Sequence, residues 1–517
     1  MNGAESLVRT LIASGVEVCF ANPGTSEMHF VSALDRTGAG GGMRCVLGLF
    51  EGVVTGAADG YYRMAGKPAA TLLHLGPGLA NGMANLHNAK KARSGIVNIV
   101  GEHATHHRQY DAPLTTDIEA IARPMSHWVH TAQNARAVAG DGARAIEAAR
   151  SAPGQIATLI LPADTAWNEA DGPAVARAPA ARPVACDAAI AAAVRALRQP
   201  NAGLLLGGPG LRADALQWAG RIAAATGCTL FAEFAAARIE RGAGRVMVQR
   251  LPYAVDAAVA VLAPMRQIVL AGAQPPVSFF AYPGKPSLQA PPECVFTELA
   301  GLGDDLAASL EALADALGAR TLAPAHVASL DLPALPEGQP TVEGIAAVLA
   351  ALLPEDAIVI DEAVSTGRGF PALTRTARPH DWLTLVGGSI GWALPQAVGA
   401  AIACPQRKVI ALESDGSGMY TPQALWTMAR EQLDVTVLVF ANRAYNILRG
   451  ELAGVGGGPP GPRATDMLTL DRPVIDWAGL ARSQGVPATR ATDLVELAVQ
   501  LSAAFAQRGP VLVELVI

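Results

Sequence analysis

The 517-residue chain carries 39 Lys and Arg against 45 Asp and Glu, a net charge of −6, with 51% hydrophobic, 16% charged and 5% aromatic residues. This composition supplies packed cores and excludes a disordered chain, and the lack of any basic block argues against nucleic acid as a partner. A mean hydropathy of +0.27 does not signal a membrane protein, because polar, Gly or Pro residues interrupt every apolar run before about 18 positions.

The amino terminus has no cationic start followed by an apolar stretch, so no secretory signal is read and the cytoplasm is the expected compartment. Six cysteines, at 19, 45, 186, 228, 294 and 404, form no CxxC pair and read as small buried thiols in a reducing environment. One local grammar recurs along the chain: a short apolar run, a Gly-rich or polar turn, then an Ala- and Leu-rich helical pattern. It appears from Gly15 to Gly24, from Gly203 to Gly210 and from Lys408 to Gly416. Strands alternating with helices predict parallel sheets covered on both faces, with ligands beyond the carboxyl ends of the strands. Pro/Ala-rich stretches near Asp171 to Asp187 and from Thr321 to Pro340 read as linkers. The expected architecture is α/β, three doubly wound parallel-sheet domains over residues 1–175, 186–320 and 341–517.

Two constellations carry chemistry. Asp415 ends the apolar strand that precedes Ser414 to Tyr420, and Asn442 ends the next one, Val435 to Phe440, after a helical stretch around Gln423 to Gln432. In a right-handed parallel crossover these strand ends share one sheet edge. A carboxylate, a side-chain amide and free carbonyls there suit Mg²⁺ together with a diphosphate; ordinary turn dipeptides produce the same spacing. In the first block, Glu51 lies within Gly48 to Arg63 among apolar and small residues, a setting in which a carboxyl can share a proton with a ring nitrogen. The alternative is a solvated glutamate favoured at a helix start.

Taken together these segments resemble the thiamine-diphosphate-dependent enzymes, in the group that contains benzoylformate decarboxylase and the acetolactate synthase large subunits. The stretch from Asp415 to Asn442 is similar to the family's diphosphate motif, with Ser414 and Ala441 in place of its first Gly and first Asn. The resemblance implies Asp415, Asn442 and the Ala444 carbonyl as ligands of Mg²⁺, with Gly416, Ser417 and Tyr445 against the cofactor. It sets Glu51 on the aminopyrimidine. Asn22 to Glu27 resembles the first active-site loop of benzoylformate decarboxylase, with Thr25 at its catalytic serine, and Leu73 to Gly78 resembles the histidine loop, with His74 at the catalytic histidine. Glu362 to Ser365 resembles the diphosphate-contacting turn. Gly387 to Gly391 resembles the loop in which the Gly388 carbonyl meets the cofactor amino group and Ile390 bends the cofactor.

The same resemblance implies thiamine diphosphate with Mg²⁺, a 2-oxo acid substrate, loss of CO2, and release of an aldehyde or joining to a second carbonyl. His74 is the candidate for proton transfer, since imidazole suits general acid–base work, and Thr25 would position the substrate carboxylate. Relatives build each site from two subunits, so a homodimer or homotetramer is expected, with Glu51 of one chain meeting the Asp415 half of another.

Several residues depart from the family pattern. The stretch Val277 to Gly284 lacks a second histidine, and Gly450 and Glu451 stand where an aromatic pocket wall is expected. Glu451 reads either as a solvated loop residue or as a pocket group that disfavours a substrate carboxylate. Three histidines between Gly101 and Asp111 read as a polar loop near the cofactor entrance rather than a metal site, with His103 and Gln109 as pocket candidates. Gly207 to Arg212 resembles a flavin-binding turn but does not meet GxGxxG, so a tight structural turn is preferred over FAD. Two alternatives stay open: acetolactate synthesis from two pyruvates, and a non-catalytic cofactor-binding member.

Overall fold

The computed structural model describes residues 1–37 and 42–517. Strands β1 (Val18–Asn22), β2 (Arg44–Leu47), β3 (Ala69–Leu73), β4 (Ile96–Glu102), β5 (Trp128–Thr131) and β6 (Ile156–Pro162) form one sheet in the order β2-β1-β3-β4-β6-β5. Every pairing in it is parallel. Strands β3, β4 and β6 are buried along their whole length, which is why they read as continuous apolar runs rather than alternating ones.

The next strands are β7 (Ala202–Leu206), β8 (Thr229–Ala232), β9 (Arg238–Arg241), β10 (Gln249–Arg250), β11 (Gln267–Ala271) and β12 (Val295–Ala300). Five of them make a parallel sheet, β10-β8-β7-β11-β12. The third sheet contains β13 (Ala357–Asp361), β14 (His380–Thr384), β15 (Val409–Ser414), β16 (Val435–Ala441), β17 (Ala488–Ala491) and β18 (Val511–Val516), in the order β17-β18-β16-β15-β13-β14-β9. Residues 171–186 run as irregular chain, as do 321–340 apart from an isolated bridge between Val246 and Val327.

The α/β architecture of parallel-sheet domains is as expected, and one edge adds an antiparallel strand, where β9 leaves the middle sheet and pairs with β14. Its charged sequence explains the placement. Arg238 donates to Asp381 at 2.5 Å, to Glu240 at 2.9 Å and to the Arg63 carbonyl at 3.1 Å, contacts available on an edge and not in an apolar centre. The expectation for the thiols is corrected: Cys45 and Cys186 are exposed, while Cys19, Cys228 and Cys294 are buried. Among the described residues no helix is long and apolar enough to cross a membrane.

One helix pair joins the first and third sheets. Helix Glu51–Ala65 lies along helix Ala393–Ala403, close enough that a Cβ on Gly60 would stand 2.9 Å from the Gln396 Cα, and one on Gly399 would stand 2.6 Å from the Tyr61 nitrogen. Small residues let the two backbones touch, and the apolar side chains of both helices share a core with Leu86, Ile360 and Trp392. Buried Asp59 sits at the crossing and accepts from Arg63 at 2.9 Å, Ser94 at 2.5 Å, Trp392 at 3.3 Å and Gln396. A buried charge is tolerable when its lone pairs are satisfied in this way.

The middle sheet has a separate core. At its Gly207 turn a Cβ would stand 2.7 Å from the Glu233 carboxylate, and at Gly208 one would stand 2.5 Å from Leu302, so the chain's own groups fill the faces of these glycines. Burial pushes the Glu233 carboxyl up to about 7. The unfolded chain loses that proton near pH 4.5 and the folded chain only near 7, so stability falls as pH rises through this interval. Glu233→Gln is expected to escape this loss: its melting temperature relative to wild type should climb by a few degrees between about pH 5 and pH 8, measured by thermal denaturation across that range.

Candidate active site

Strands β1 and β3 are neighbours with Asn22 in register with Leu73, so the turn Thr25–Glu27 and His74 leave the sheet at the same edge. Glu27 is buried there. Its Oε2 lies 2.8 Å from His74 Nδ1 and accepts the Gly24 N–H at 2.7 Å, while Oε1 accepts the Ser26 hydroxyl at 2.8 Å. A carboxylate can only accept, so Nδ1 carries the imidazole hydrogen and Nε2 is the nitrogen left for proton exchange. The Ser26 oxygen is 3.4 Å from the same Nδ1. Thr25, the expected serine counterpart, is exposed and makes no side-chain hydrogen bond among the described residues; the hydroxyl beside the histidine is that of Ser26.

Glu51 opens its helix and is 6% exposed, with Oε2 accepting the Asn81 amide at 3.0 Å. A Cβ on Gly78 would be 2.9 Å from Glu51 Oε1 and 3.2 Å from His74 Cβ, so Glu51 and His74 flank one point in space. The backbone that turns between them is strained: Leu75 holds φ at +47°, a conformation costly for a branched residue and typical of functional turns.

The other half of the site stands beyond β15 and β16, adjacent parallel strands with Ser414 in register with Phe440. Buried Asp415 accepts the Arg443 N–H through Oδ2 at 2.6 Å, and its Oδ1 has no partner. Burial pushes this carboxyl up to about 6 against the pull of the Arg443 and Gly416 N–H groups. Asn442 approaches Ser365 at 3.5 Å and accepts the Ala444 N–H at 3.0 Å, and Arg443 between them holds φ at +55°. The Ala444 carbonyl accepts no hydrogen bond among the described residues. An orphaned buried carboxylate oxygen, an amide oxygen and a free carbonyl form an all-oxygen set that fits Mg²⁺ with room for diphosphate oxygens. The Tyr445 ring packs over Gly416, where a Cβ would be 2.7 Å away.

Gly388 and Ile390 lie on a turn tied to the rest of the chain from two sides. From the first domain, His87 reaches the Gly387 carbonyl at 3.0 Å, Asn88 the Ser389 carbonyl at 2.8 Å, and Asn85 the Gly391 carbonyl at 3.2 Å. Just after β13, Glu362 accepts the N–H groups of Gly391, Trp392 and Ala393 at 2.9, 2.8 and 2.6 Å. The Glu362 carboxyl, expected against the cofactor, accepts these three convergent N–H groups, and burial pushes it up to about 7 against their pull. Ser417, expected in the same role, turns its hydroxyl inward to Glu413. Glu413 is fully buried, and burial together with the Glu362 charge pushes its carboxyl well above the usual range.

Of the remaining candidates, His103 stacks on His107 with centroids 5.4 Å apart, and the exposed Gln109 donates to the His106 carbonyl at 2.9 Å. Among the described residues no three His, Cys, Asp or Glu side chains converge to hold an ion, and this loop shows no bond to His74 or Glu51. Within one chain, no hydrogen bond among the described residues joins Thr25, Glu51 or His74 to Asp415, Asn442 or Ala444.

Comparison with known proteins decides the family. Residues 1–131 match the N-terminal TPP binding domain of thiamine pyrophosphate enzymes, and residues 367–515 match the C-terminal TPP binding domain. A protein of Mycobacterium tuberculosis assigned as the acetolactate synthase large subunit IlvX is 51% identical over all of this chain and 99% of its own length. The chain belongs to the thiamine pyrophosphate enzyme family. Benzoylformate decarboxylase of Pseudomonas aeruginosa is 30% identical over 97% of this chain and 96% of its own. Among solved structures, the thiamine diphosphate-dependent 4-hydroxybenzoylformate decarboxylase of Rhodococcus jostii RHA1 superimposes with a TM-score of 0.85 at 25% identity, covering 99% of this chain and 98% of that one.

For this family member, sequence reasoning misses Ser26, Glu27, Asn81 and Glu413. Glu27 has a signal: an acid three positions after Gly24 is placed to reach back to its N–H. A test isolates the seat of Glu51. Alanine favours a helix over glycine, yet at Gly78 its methyl would meet the Glu51 carboxylate. Gly78→Ala is expected to keep or raise the melting temperature and to lower cofactor-dependent turnover by at least about tenfold, read by thermal denaturation beside steady-state kinetics.

Proposed function

We propose that the protein is a thiamine-diphosphate-dependent 2-oxo acid decarboxylase with carboligase capacity, similar in type to benzoylformate decarboxylase. The observation that carries this reading is the point above Gly78 flanked by Glu51 on one side and His74 on the other, an activating carboxyl beside a proton-transfer group. The three proposed domains are 1–175 for the pyrimidine, 186–320 in the middle and 341–517 for the diphosphate. Bound between them, thiamine diphosphate supplies a nucleophilic ring carbon and an electron sink for loss of CO2.

The chain's own residues supply the rest. Glu51 Oε1, which Asn81 leaves open, is the proton-exchanging atom. His74 Nε2 delivers a proton to the substrate fragment that remains after CO2 departs, while Glu27 fixes the ring and Ser26 and Thr25 orient the substrate carboxylate. Asp415, Asn442 and the Ala444 carbonyl would hold Mg²⁺, with Ser365, Gly388, Ile390, Gly416 and Tyr445 lining the cofactor. Filled glycine faces at Gly207 and Gly208 argue against FAD in the middle domain. We assign the protein to the cytoplasm, where six unpaired thiols are stable.

A second reading, condensation of two pyruvates to acetolactate, is favoured by the name of the 51% identical relative and by Gly450 and Glu451 where an aromatic wall would stand. Product analysis of the purified protein with Mg²⁺ and thiamine diphosphate, offered benzoylformate and pyruvate separately, distinguishes the two. An aldehyde with CO2 supports decarboxylation and acetolactate supports the second reading; cofactor binding without any product overturns both.

The proposed homodimer or homotetramer shares each site between subunits, which explains why the Glu51 and Asp415 groups stay unjoined within one chain. Glu51→Gln and Asp415→Ala are each expected to lower turnover at least about 100-fold. Mixing the two variants after subunit exchange should restore about a quarter of the sites; no recovery in the mixture would show that each chain builds its site alone.

A further inference from the structure

The helix Asn446–Gly454 begins just after the proposed metal turn and carries Glu451. Two tyrosines of the middle domain converge on that carboxylate: Tyr253 donates to Oε1 at 3.1 Å and Tyr282 to Oε2 at 2.7 Å. The cluster lines a cleft of about 340 Å³ together with Ser365, Arg368, Asn446 and Ile447. Ser365 is also the residue that Asn442 approaches at 3.5 Å, so the cleft opens beside the diphosphate end of the site. Phe279 extends the wall to the other end. It packs on Tyr253 with centroids 5.6 Å apart, and its ring stands 2.5 Å from where Gly388 would carry a Cβ.

The donor and acceptor inventory of this cleft narrows what it can hold. Burial and the neighbouring Glu451 push both phenols up, so they keep their hydrogens and direct them to the carboxylate. The phenol oxygens and the remaining carboxylate lone pairs then present acceptors only. Facing them, the Arg368 guanidinium sits 4.7 Å over the Tyr253 ring, pairs with no carboxylate among the described residues, and supplies donors. Lys285 lies 5.8 Å from the Tyr282 ring centroid and pairs with Asp256 at 2.7 Å.

Each class of acyl tail can be weighed against that inventory. A phenyl tail would strip water from Glu451 and return no hydrogen bond. An anionic tail could pair with Arg368 but would stand against Glu451, and a cationic one could pair with Glu451 but would stand against Arg368, so either charge leaves one group opposed by its like. A neutral hydroxyl both donates to the carboxylate and accepts from the guanidinium. We propose that Tyr253, Tyr282, Glu451 and Arg368 form a recognition subsite for the hydroxylated tail of a 2-oxo acid. This rests on the 2-oxo acid reading above and names the substrate class within it.

The test reads binding rather than turnover. Glu51→Gln protein loaded with Mg²⁺ and thiamine diphosphate is titrated calorimetrically with 2-oxo-3-deoxygluconate, with 2-oxohexanoate, its six-carbon counterpart lacking hydroxyls, and with benzoylformate. The hydroxylated acid is expected to bind at least about tenfold more tightly than the alkyl acid, since a site built for hydroxyl partners rejects analogues without them. Adding Glu451→Leu should erase the difference, and Tyr282→Phe should narrow it with the carboxylate left in place. Equal binding of the two six-carbon acids, tightest binding of benzoylformate, no binding of the hydroxylated acid, or a preference that survives Glu451→Leu would each overturn the subsite. If the preference stands while the wild-type protein releases no product from any acid, the enzymatic reading alone fails.

Discussion

The contact between helices Glu51–Ala65 and Ala393–Ala403 sets how each chain holds the two halves it contributes to the proposed shared sites. Each helix begins at a functional feature: the first at Glu51 itself, the second immediately after the turn that carries Gly388 and Ile390. Because Gly60 and Gly399 let the backbones touch, the two starts are fixed relative to one another by covalent geometry and close packing rather than by flexible side chains. Asp59 locks the crossing with ligands from both helices. A larger residue at either glycine would push the pyrimidine-side and diphosphate-side sheets apart.

The buried carboxyls around this contact divide by what satisfies them. Glu362 accepts three N–H groups at a helix start, where the backbone dipole also favours negative charge, and burial pushes its carboxyl up to about 7 against their pull. Burial and the neighbouring Glu362 push the Glu413 carboxyl well above the usual range. Glu27 commits its oxygens to His74, Ser26 and the Gly24 N–H. Asp415 Oδ1 and Glu413 Oε2 are both left without a partner inside the protein, and of the two only Asp415 stands beside Asn442 at the strand ends. Buried polar groups in native structures are almost always paired, and the bare Asp415 oxygen beside Asn442 is what the proposed Mg²⁺ site rests on.

Legibility in the sequence tracks the distance over which each contact is made. The strands that end at Asp415 and Asn442 are legible because a parallel crossover of fewer than about thirty residues leaves little choice of edge, and Glu51 and His74 because each sits directly at a strand-to-helix turn. Glu362 and Ser417 show what motif reasoning leaves out: both stand in the expected segments, and in the folded chain their side chains also bond to the Gly391 N–H and to Glu413. The charged strand Arg238–Arg241 carries no local sign that it will join a sheet more than a hundred residues downstream. Ser26 and Thr25 cannot be told apart in sequence, because both are small hydroxyl residues and only the phase of a single turn decides which one faces His74.

The Glu451 cluster is invisible in the sequence for the same reason, since its tyrosines lie 198 and 169 positions away. Motif comparison registers only two losses there, an aromatic wall and a second histidine. In the folded protein the losses are one replacement. The segment that lacks histidine contributes Phe279 to the wall and Tyr282 to the carboxylate, and the helix that lacks the aromatic contributes the carboxylate itself. An isolated glutamate in a substrate cleft would cost desolvation with no return, but one that already accepts two phenols has part of that cost offset before any ligand arrives. Such a group survives in a pocket wall only where its remaining lone pairs find donors or water, which separates this cleft in chemical kind from one shaped for a benzene ring.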